Sequence, residues 1–196
     1  MTRRNGYSLN WSEDIESILK NCEVLGSGNN GLVYILPDNT VLKIFSKSKV
    51  CKEECSILMK ASKKSPHFPK VFKYGDKYII REYVGGCRLD KYLKNNDLNR
   101  VLALNLILLI EEFKALGFKK LDIRCKDLYV QNDMSLMVID PKDSYSKKVI
   151  YPRHLMKGIN KKGYLDLFLD VVKEYDIHLY FLWHNRIDLY LNHNLK

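Results

Sequence analysis

The feature that most constrains the fold of this chain is a change in hydrophobic periodicity at the glycine pair 85–86. Before it, short runs rich in β-branched and aromatic residues alternate with turn residues, which is typical of strands. After it, apolar residues recur at helical spacing, most clearly over 98–116, and Gly117 then ends the pattern. The sequence therefore predicts an α+β fold, with a sheet-rich part at 1–84 and a mostly helical part at 85–196.

The individual elements follow from the same two periodicities. The strands predicted in the first part are 23–25, 32–35, 41–45, 70–74 and 78–83, and its predicted helices are 11–20 and 49–62. The helices predicted in the second part are 89–93, 98–116, 164–174 and 177–191. At 196 residues, the chain is long enough for one domain made of two small lobes.

Composition and the length of apolar runs exclude several classes of protein. The chain is 46% hydrophobic and 29% charged, as in ordinary globular proteins. Its longest apolar stretch, 101–110, is interrupted by Asn105 and is too short to span a bilayer. The first residues lack the apolar core of a signal peptide. The five cysteines form no Cys-x-x-Cys pair, so we expect reduced thiols and a cytoplasmic location.

The formal net charge of +10 favours negatively charged partners at long range, such as ATP, an acidic protein, a membrane surface or nucleic acid. The lysines are spread along the chain, and neither an arginine arm nor an aromatic-basic motif stands out. Nucleic acid is therefore only weakly supported as a partner.

Three aspartates stand at the ends of a predicted hairpin in the second part. Asp122 is followed by Asp127 after five residues and by Asp140 after thirteen more. Between the last two, the apolar run 128–130, a polar turn and a second apolar run predict two short strands. This arrangement brings carboxylates together where they can bind Mg²⁺, which prefers oxygen ligands, and orient a hydroxyl group.

A glycine-rich segment lies far upstream of these aspartates. Gly26, Gly28 and Gly31 lack side chains, so their backbone N–H groups can approach phosphate oxygens. Twelve residues after the last of them, Lys43 lies in a predicted strand and supplies a point charge. A phosphate-covering loop, a strand lysine and a group of metal-binding acids, in this order, indicate phosphoryl transfer from ATP.

Read in this order, the motifs resemble those of the protein kinase-like superfamily, most closely its small atypical bacterial members such as the RIO and lipopolysaccharide kinase groups. Segment 26–33 matches G-x-G-x-x-G-x-V, and Lys43 matches the family's strand lysine. Glu54 matches the helix glutamate that pairs with that lysine, and segment 81–86 resembles the adenine-binding linker.

The resemblance implies a single kinase-like domain over 1–196. Its two-lobed fold would have an antiparallel five-stranded N-lobe at 1–84 and a reduced helical C-lobe at 85–196. It also implies roles for individual residues. Those implied to bind ATP are Gly26, Gly28, Gly31, Val33, Val41, Lys43, Glu54, Glu82, Val84 and Tyr129. Those implied to act in catalysis are Asp122, Arg124 and Lys43, and those implied to bind Mg²⁺ are Asp127 and Asp140.

A second alignment of the catalytic segment also fits the motif. In it, Asp127 is the base and Asn132 is the metal ligand. Only seven residues then separate Asn132 from Asp140. Two strands and a turn need about ten or more, so this spacing favours Asp122 as the catalytic carboxylate.

Several positions depart from the family pattern. Lys120 stands in place of the usual histidine before the catalytic loop, Asp127 in place of asparagine, and Pro141 follows the metal-binding aspartate. Arg81 stands at a usually apolar position behind the adenine.

The sequence predicts an ATP-dependent kinase that acts on a Ser/Thr or small-molecule hydroxyl. The alternative is a pseudokinase that serves as a nucleotide-regulated or purely protein-binding module.

Overall fold

The computed structural model describes residues 19, 20 and 22–193. The helix predicted at 11–20 lies almost entirely outside the described residues; within it, Leu19 is helical and Lys20 is in a turn. The chain divides into two compact units by its internal packing. Among the described residues, the first unit contains 19, 20, 22–59 and 69–83, and the second contains 60–68 and 84–193.

The first unit is built on a five-stranded antiparallel sheet with the strand order β1-β2-β3-β5-β4. Its strands are β1 (Val24–Gly28), β2 (Gly31–Ile35), β3 (Thr40–Phe45), β4 (Val71–Tyr74) and β5 (Tyr78–Glu82), and helix α1 (Ser48–Ala61) follows β3. The turn between β2 and β3 places Asn39 at a φ of 61°, a conformation that asparagine tolerates.

Strand β3 lies in the middle of this sheet, and five of its six residues are buried. Side chains alternate along a strand, so Leu42 and Ile44 lie on one face, while Lys43 and Phe45 lie on the other. Leu42 and Ile44 pack against Leu36, whereas Phe45 packs against the two cysteines of α1. The lysine of β3 is therefore placed on the face that α1 covers.

The second unit combines a three-stranded antiparallel sheet, with the order β6-β7-β8, and five helices within its described residues. The strands are β6 (Cys87–Arg88), β7 (Leu128–Val130) and β8 (Leu136–Val138). The helices are α2 (Leu89–Asn95), α3 (Arg100–Ala115), α4 (Arg153–Asn160), α5 (Leu165–Tyr175) and α6 (Ile177–His193).

Helix α3 contributes a large share of the core of this unit, and its ends are set by local chemistry. The side chain of Asn99 accepts a hydrogen bond from the backbone N–H of Leu102 at 2.8 Å, which caps the first turn. Gly117 follows the last turn at a φ of 75°, where glycine carries no steric penalty. Between these ends, seven apolar side chains of the helix are buried.

These elements confirm the predicted α+β class and its five-stranded antiparallel sheet. The predicted strands and helices of the described residues are found with shifted ends. The sequence analysis missed β6 and α4, both of which are short. None of the helices in the described part of the chain combines the length and the apolar character needed to cross a bilayer.

Candidate functional site

The glycine-rich segment forms the hairpin of β1 and β2, with Gly28 paired to Gly31 and Gly26 paired to Val33. Gly31 is required by the fold: its φ is 144°, and a Cβ there would lie 1.7 Å from the carbonyl oxygen of Ile44. A Cβ on Gly26 or Gly28 would meet nothing within 4 Å. Packing within the chain therefore explains one of the three glycines and leaves the other two unexplained.

A buried ion pair lies on the α1 side of the sheet. Lys43 Nζ donates to both carboxylate oxygens of Glu54, at 2.8 and 2.7 Å. Lys43 is 8% exposed and Glu54 is 2% exposed. The sheet register places Val33 opposite this lysine, and Val41 is buried two residues before it. The structure thus brings together the lysine and the glutamate that the sequence analysis paired.

The residues predicted to contact adenine have other partners within their own units. The backbone carbonyl of Glu82 accepts a hydrogen bond from the guanidinium of Arg81 at 3.0 Å. Its carboxylate accepts a bond from the backbone N–H of Lys70 at 3.1 Å. In the second unit, Val84 is buried, and Tyr129 is half-buried in β7.

The hairpin of β7 and β8 brings two of the three aspartates together in the second unit. The backbone N–H of Ile139 donates to the carbonyl of Asp127 at 3.0 Å, so Asp140, the next residue, lies beside Asp127. Asn132 lies in the turn at the opposite end of the hairpin. This geometry favours Asp127 over Asn132 as the partner of Asp140.

Both carboxylates of this hairpin are held by cations. Arg124 donates to the two carboxylate oxygens of Asp127 at 2.5 and 2.8 Å, and its Nη2 lies 3.6 Å from Asp140. Lys142 Nζ lies 2.8 Å from the same oxygen of Asp140. The hydrogen bonds with Asp127 raise the pKa of Arg124 above its ordinary value. One guanidinium thus spans the two carboxylates that were predicted to bind a metal.

The third aspartate, Asp122, is fixed by the first residues of α4. Its carboxylate accepts a bond from the backbone N–H of His154 at 2.9 Å. The ring Nδ1 of His154 lies 2.5 Å from the second carboxylate oxygen. Arg153 Nε lies 3.7 Å from that oxygen, and the Asp122 side chain is only 1% exposed. Helix α4 therefore determines the orientation of this carboxylate.

A pocket of about 220 Å³ in the second unit is lined by all three aspartates, Arg124 and Lys120. Lys120 Nζ donates to the carbonyl oxygen of Lys142 at 2.8 Å. Burial lowers the pKa of Lys120, and neighbouring aspartates oppose that shift. The pocket, which we call the carboxylate pocket, therefore combines buried acids with basic groups that balance their charge.

The sequence analysis did not find the residues that hold Asp122. Arg153 and His154 follow Pro152, and the sequence analysis gave neither residue a role. The sequence feature that could have identified them is Pro152. A proline often precedes or starts a helix, so Arg153 and His154 would lie in the first turn of that helix. Among the described residues, no group of three or more His, Cys, Asp or Glu side chains is positioned to hold a metal ion.

Comparison with known proteins gives no family assignment. No protein-family model matches the chain, and no curated protein shows significant similarity to it.

Proposed function

We propose that this protein is a minimal ATP-dependent kinase with a two-lobed kinase-like fold. It would transfer the γ-phosphoryl group to a Ser/Thr hydroxyl or to a hydroxyl of a small molecule. The observation that carries the proposal is the buried pair of Lys43 and Glu54, which lies on the strand and helix that the resemblance implies. Burying two charges is costly, so such a pair is a weak source of stability. In the proposed function, Glu54 orients Lys43 toward a phosphate group of ATP, which gives the pair a role other than stabilising the fold.

The glycine hairpin supports the same proposal. The fold has room for a side chain at Gly26 and at Gly28. A ligand that approaches the backbone of β1 accounts for these glycines, because a Cβ would keep phosphate oxygens away from the N–H groups. In this reading Gly31 has a separate role, which is to allow the close approach of β2 to β3.

The donor set in the second unit fits Mg²⁺. This ion is usually held by one or two carboxylates, water and substrate phosphates, rather than by a complete set of protein ligands. Asp127 and Asp140 are the two carboxylates, and the guanidinium of Arg124 already spans them as a cation. Bound Mg²⁺ would neutralise charge on the phosphate oxygens. Arg124 would then turn from Asp127 toward the transferring group.

Asp122 would orient the acceptor hydroxyl and take its proton. In the transfer, the acceptor oxygen forms a bond to the γ-phosphorus, the bond from that phosphorus to the β-phosphate oxygen breaks, and ADP leaves. A carboxylate can accept up to about four hydrogen bonds, so the two contacts with His154 leave capacity for the hydroxyl. His154 is a positioning residue in this proposal.

Calorimetric titration with ATP, with and without Mg²⁺, followed by a radiolabel transfer assay on the same sample, tests the proposal. We expect Asp122→Asn to reduce transfer by roughly two orders of magnitude or more, while nucleotide affinity changes little. Asp140→Asn should first remove the dependence of nucleotide affinity on Mg²⁺. Lack of ATP binding by the unmodified protein would refute the kinase assignment.

The pseudokinase alternative is favoured by one specific observation. Arg124 and Lys142 already neutralise Asp127 and Asp140, so a metal ion has to compete with them. If ATP binds equally well with and without Mg²⁺, and no acceptor is labelled, the protein is a nucleotide-binding or protein-binding module instead of an enzyme.

A further inference from the structure

Positive charge is concentrated in the part of the chain that follows the hairpin of β7 and β8. Residues 147–162 contain six Lys or Arg residues and no Asp or Glu. The six are Lys147, Lys148, Arg153, Lys157, Lys161 and Lys162. The sequence analysis described the lysines as spread along the chain, but this stretch has six basic residues and no acidic one, and it leads into and through α4.

Part of this stretch forms a groove of about 400 Å³ in the second unit, which we call the basic groove. Its cationic lining residues are Lys147, Lys148, Arg153 and Arg186, and the rest of its lining is apolar or aromatic. Within the described part of the chain, no carboxylate lines it. Like charges held in one concave surface raise the local positive potential and attract an anion.

Two contacts join Arg186, a residue of α6, to Tyr151, a residue of the basic stretch. The Arg186 guanidinium lies over the ring of Tyr151, at 5.9 Å from its centroid. The Tyr151 hydroxyl donates to the backbone carbonyl of Arg186 at 3.4 Å. A guanidinium suits phosphate, because its planar set of donors matches two phosphate oxygens.

Arg153 connects the basic groove with the carboxylate pocket, because it lines both. Its Nε lies 3.7 Å from a carboxylate oxygen of Asp122. The same Nε is buried and makes no hydrogen bond with the described residues. An anion in the groove would therefore share Arg153 with the pocket that contains the carboxylate proposed to orient the acceptor hydroxyl.

We propose that the basic groove binds the phosphate group of a small phosphate-ester acceptor. The groove is open to solvent, and its four cationic side chains suit a small charged group such as a phosphate. The orientation of the acceptor hydroxyl toward Asp122 rests on the proposed kinase activity, whereas the anion site itself does not.

A nucleic-acid strand fits this surface less well. Proteins that bind single strands offer open aromatic faces on which bases stack. Here Tyr151 is covered by Arg186, and Tyr190 is covered by Arg153 and Lys157 at 5.7 and 5.3 Å. Both rings near the groove are therefore engaged by cations of the same chain.

NMR titration of the full chain with glucose 6-phosphate, without nucleotide or metal, tests the site. We expect shifts in the backbone amides of 147–153 and Arg186, and none with glucose as the uncharged control. Arg186→Gln and Lys148→Gln should each weaken binding by roughly tenfold, since each removes a charge-assisted hydrogen bond. Lys161→Gln makes the same charge change outside the groove and should leave binding unchanged.

Several outcomes overturn the proposal. Equal weakening by Lys161→Gln shows general charge attraction instead of a site, and shifts confined to other segments place the anion elsewhere. Tighter binding of a short oligothymidylate at the same amides identifies a nucleic-acid surface. If Arg186→Gln alters the circular dichroism spectrum, Lys148→Gln decides, because Lys148 is exposed. If glucose 6-phosphate binds but the unmodified protein does not bind ATP, the groove assignment stands and the kinase assignment fails.

Discussion

Replacing Lys43 with methionine should destabilise the first unit as well as weaken nucleotide binding. The sequence alone suggests that loss of this lysine leaves the fold intact, because its expected task is electrostatic. The structure changes that expectation. Glu54 is 2% exposed, and both of its carboxylate oxygens accept hydrogen bonds from Lys43. Lys43→Met therefore leaves a carboxylate buried without its bidentate cation.

The size of the effect follows from the distance and the burial. At 2.7 Å, the attraction between the two charges is about 6 kcal/mol with an effective dielectric constant of about 20. The cost of burying both charges offsets much of that attraction in the intact pair. Removing one partner leaves the cost and loses the attraction, which typically destabilises a protein by about 3–5 kcal/mol.

Hydrogen exchange measured by mass spectrometry reports this change locally. Peptides that cover β3 and α1 should lose protection by roughly 100-fold or more in Lys43→Met, the equivalent of about 3 kcal/mol. Peptides of α3, in the second unit, provide an internal reference. Glu54→Met should have a similar effect, and the double variant should cost less than the sum of the two single variants, because it removes both buried charges.

Two results would refute this reasoning. A loss of less than about 1 kcal/mol in each single variant would mean that the pair is solvated, as exposed ion pairs are. A double variant whose loss equals the sum of the two single losses would mean that the charges do not interact.

Three further predictions follow from the same structure. Gly31→Ala should destabilise the first unit by about 2 kcal/mol or more in urea unfolding, because of the backbone conformation of Gly31 and its contact with β3. Gly28→Ala should change the free energy of unfolding by less than about 1 kcal/mol but weaken ATP binding. Equal losses of stability in the two variants would contradict this prediction. Burial raises the pKa of Cys125 to about 12, so at pH 8 iodoacetamide should alkylate exposed Cys87 long before Cys125, as peptide mass spectrometry can measure. Asn132→Ala should leave the dependence of ATP binding on Mg²⁺ unchanged in calorimetry, because the residue lies in the distal turn; loss of that dependence would restore the second alignment.

Much of the first unit was predictable because local pattern and tertiary packing agree there. Strands β2 and β3 have β-branched and aromatic residues with a turn between them, and α1 begins shortly after β3. The pairing of Lys43 with Glu54 was also anticipated. The burial of the pair was not, because exposure depends on the packing of α1 over the sheet.

The second unit was harder to predict where long-range contacts decide the structure. Strand β6 has two residues and exists because it pairs with β7, which lies about forty residues further along the chain. Helix α4 has only eight residues and contains Gly158, which lowers helix propensity, so the sequence analysis missed it although Leu155, Met156 and Ile159 stand at helical spacing. The contact of His154 with Asp122 depends on that helix. The distance between the two residues along the sequence does not predict this contact.

The position of Arg124 has a consequence for how the second unit responds to metal removal. The unit carries its own counterion, since the guanidinium cancels repulsion between Asp127 and Asp140. A chelator should therefore leave its thermal transition unchanged. Under the proposed function, Asp127 and Asp140 would hold Mg²⁺ only when a nucleotide phosphate is present to bind the displaced Arg124. Arg124 would thereby make metal binding conditional on the nucleotide.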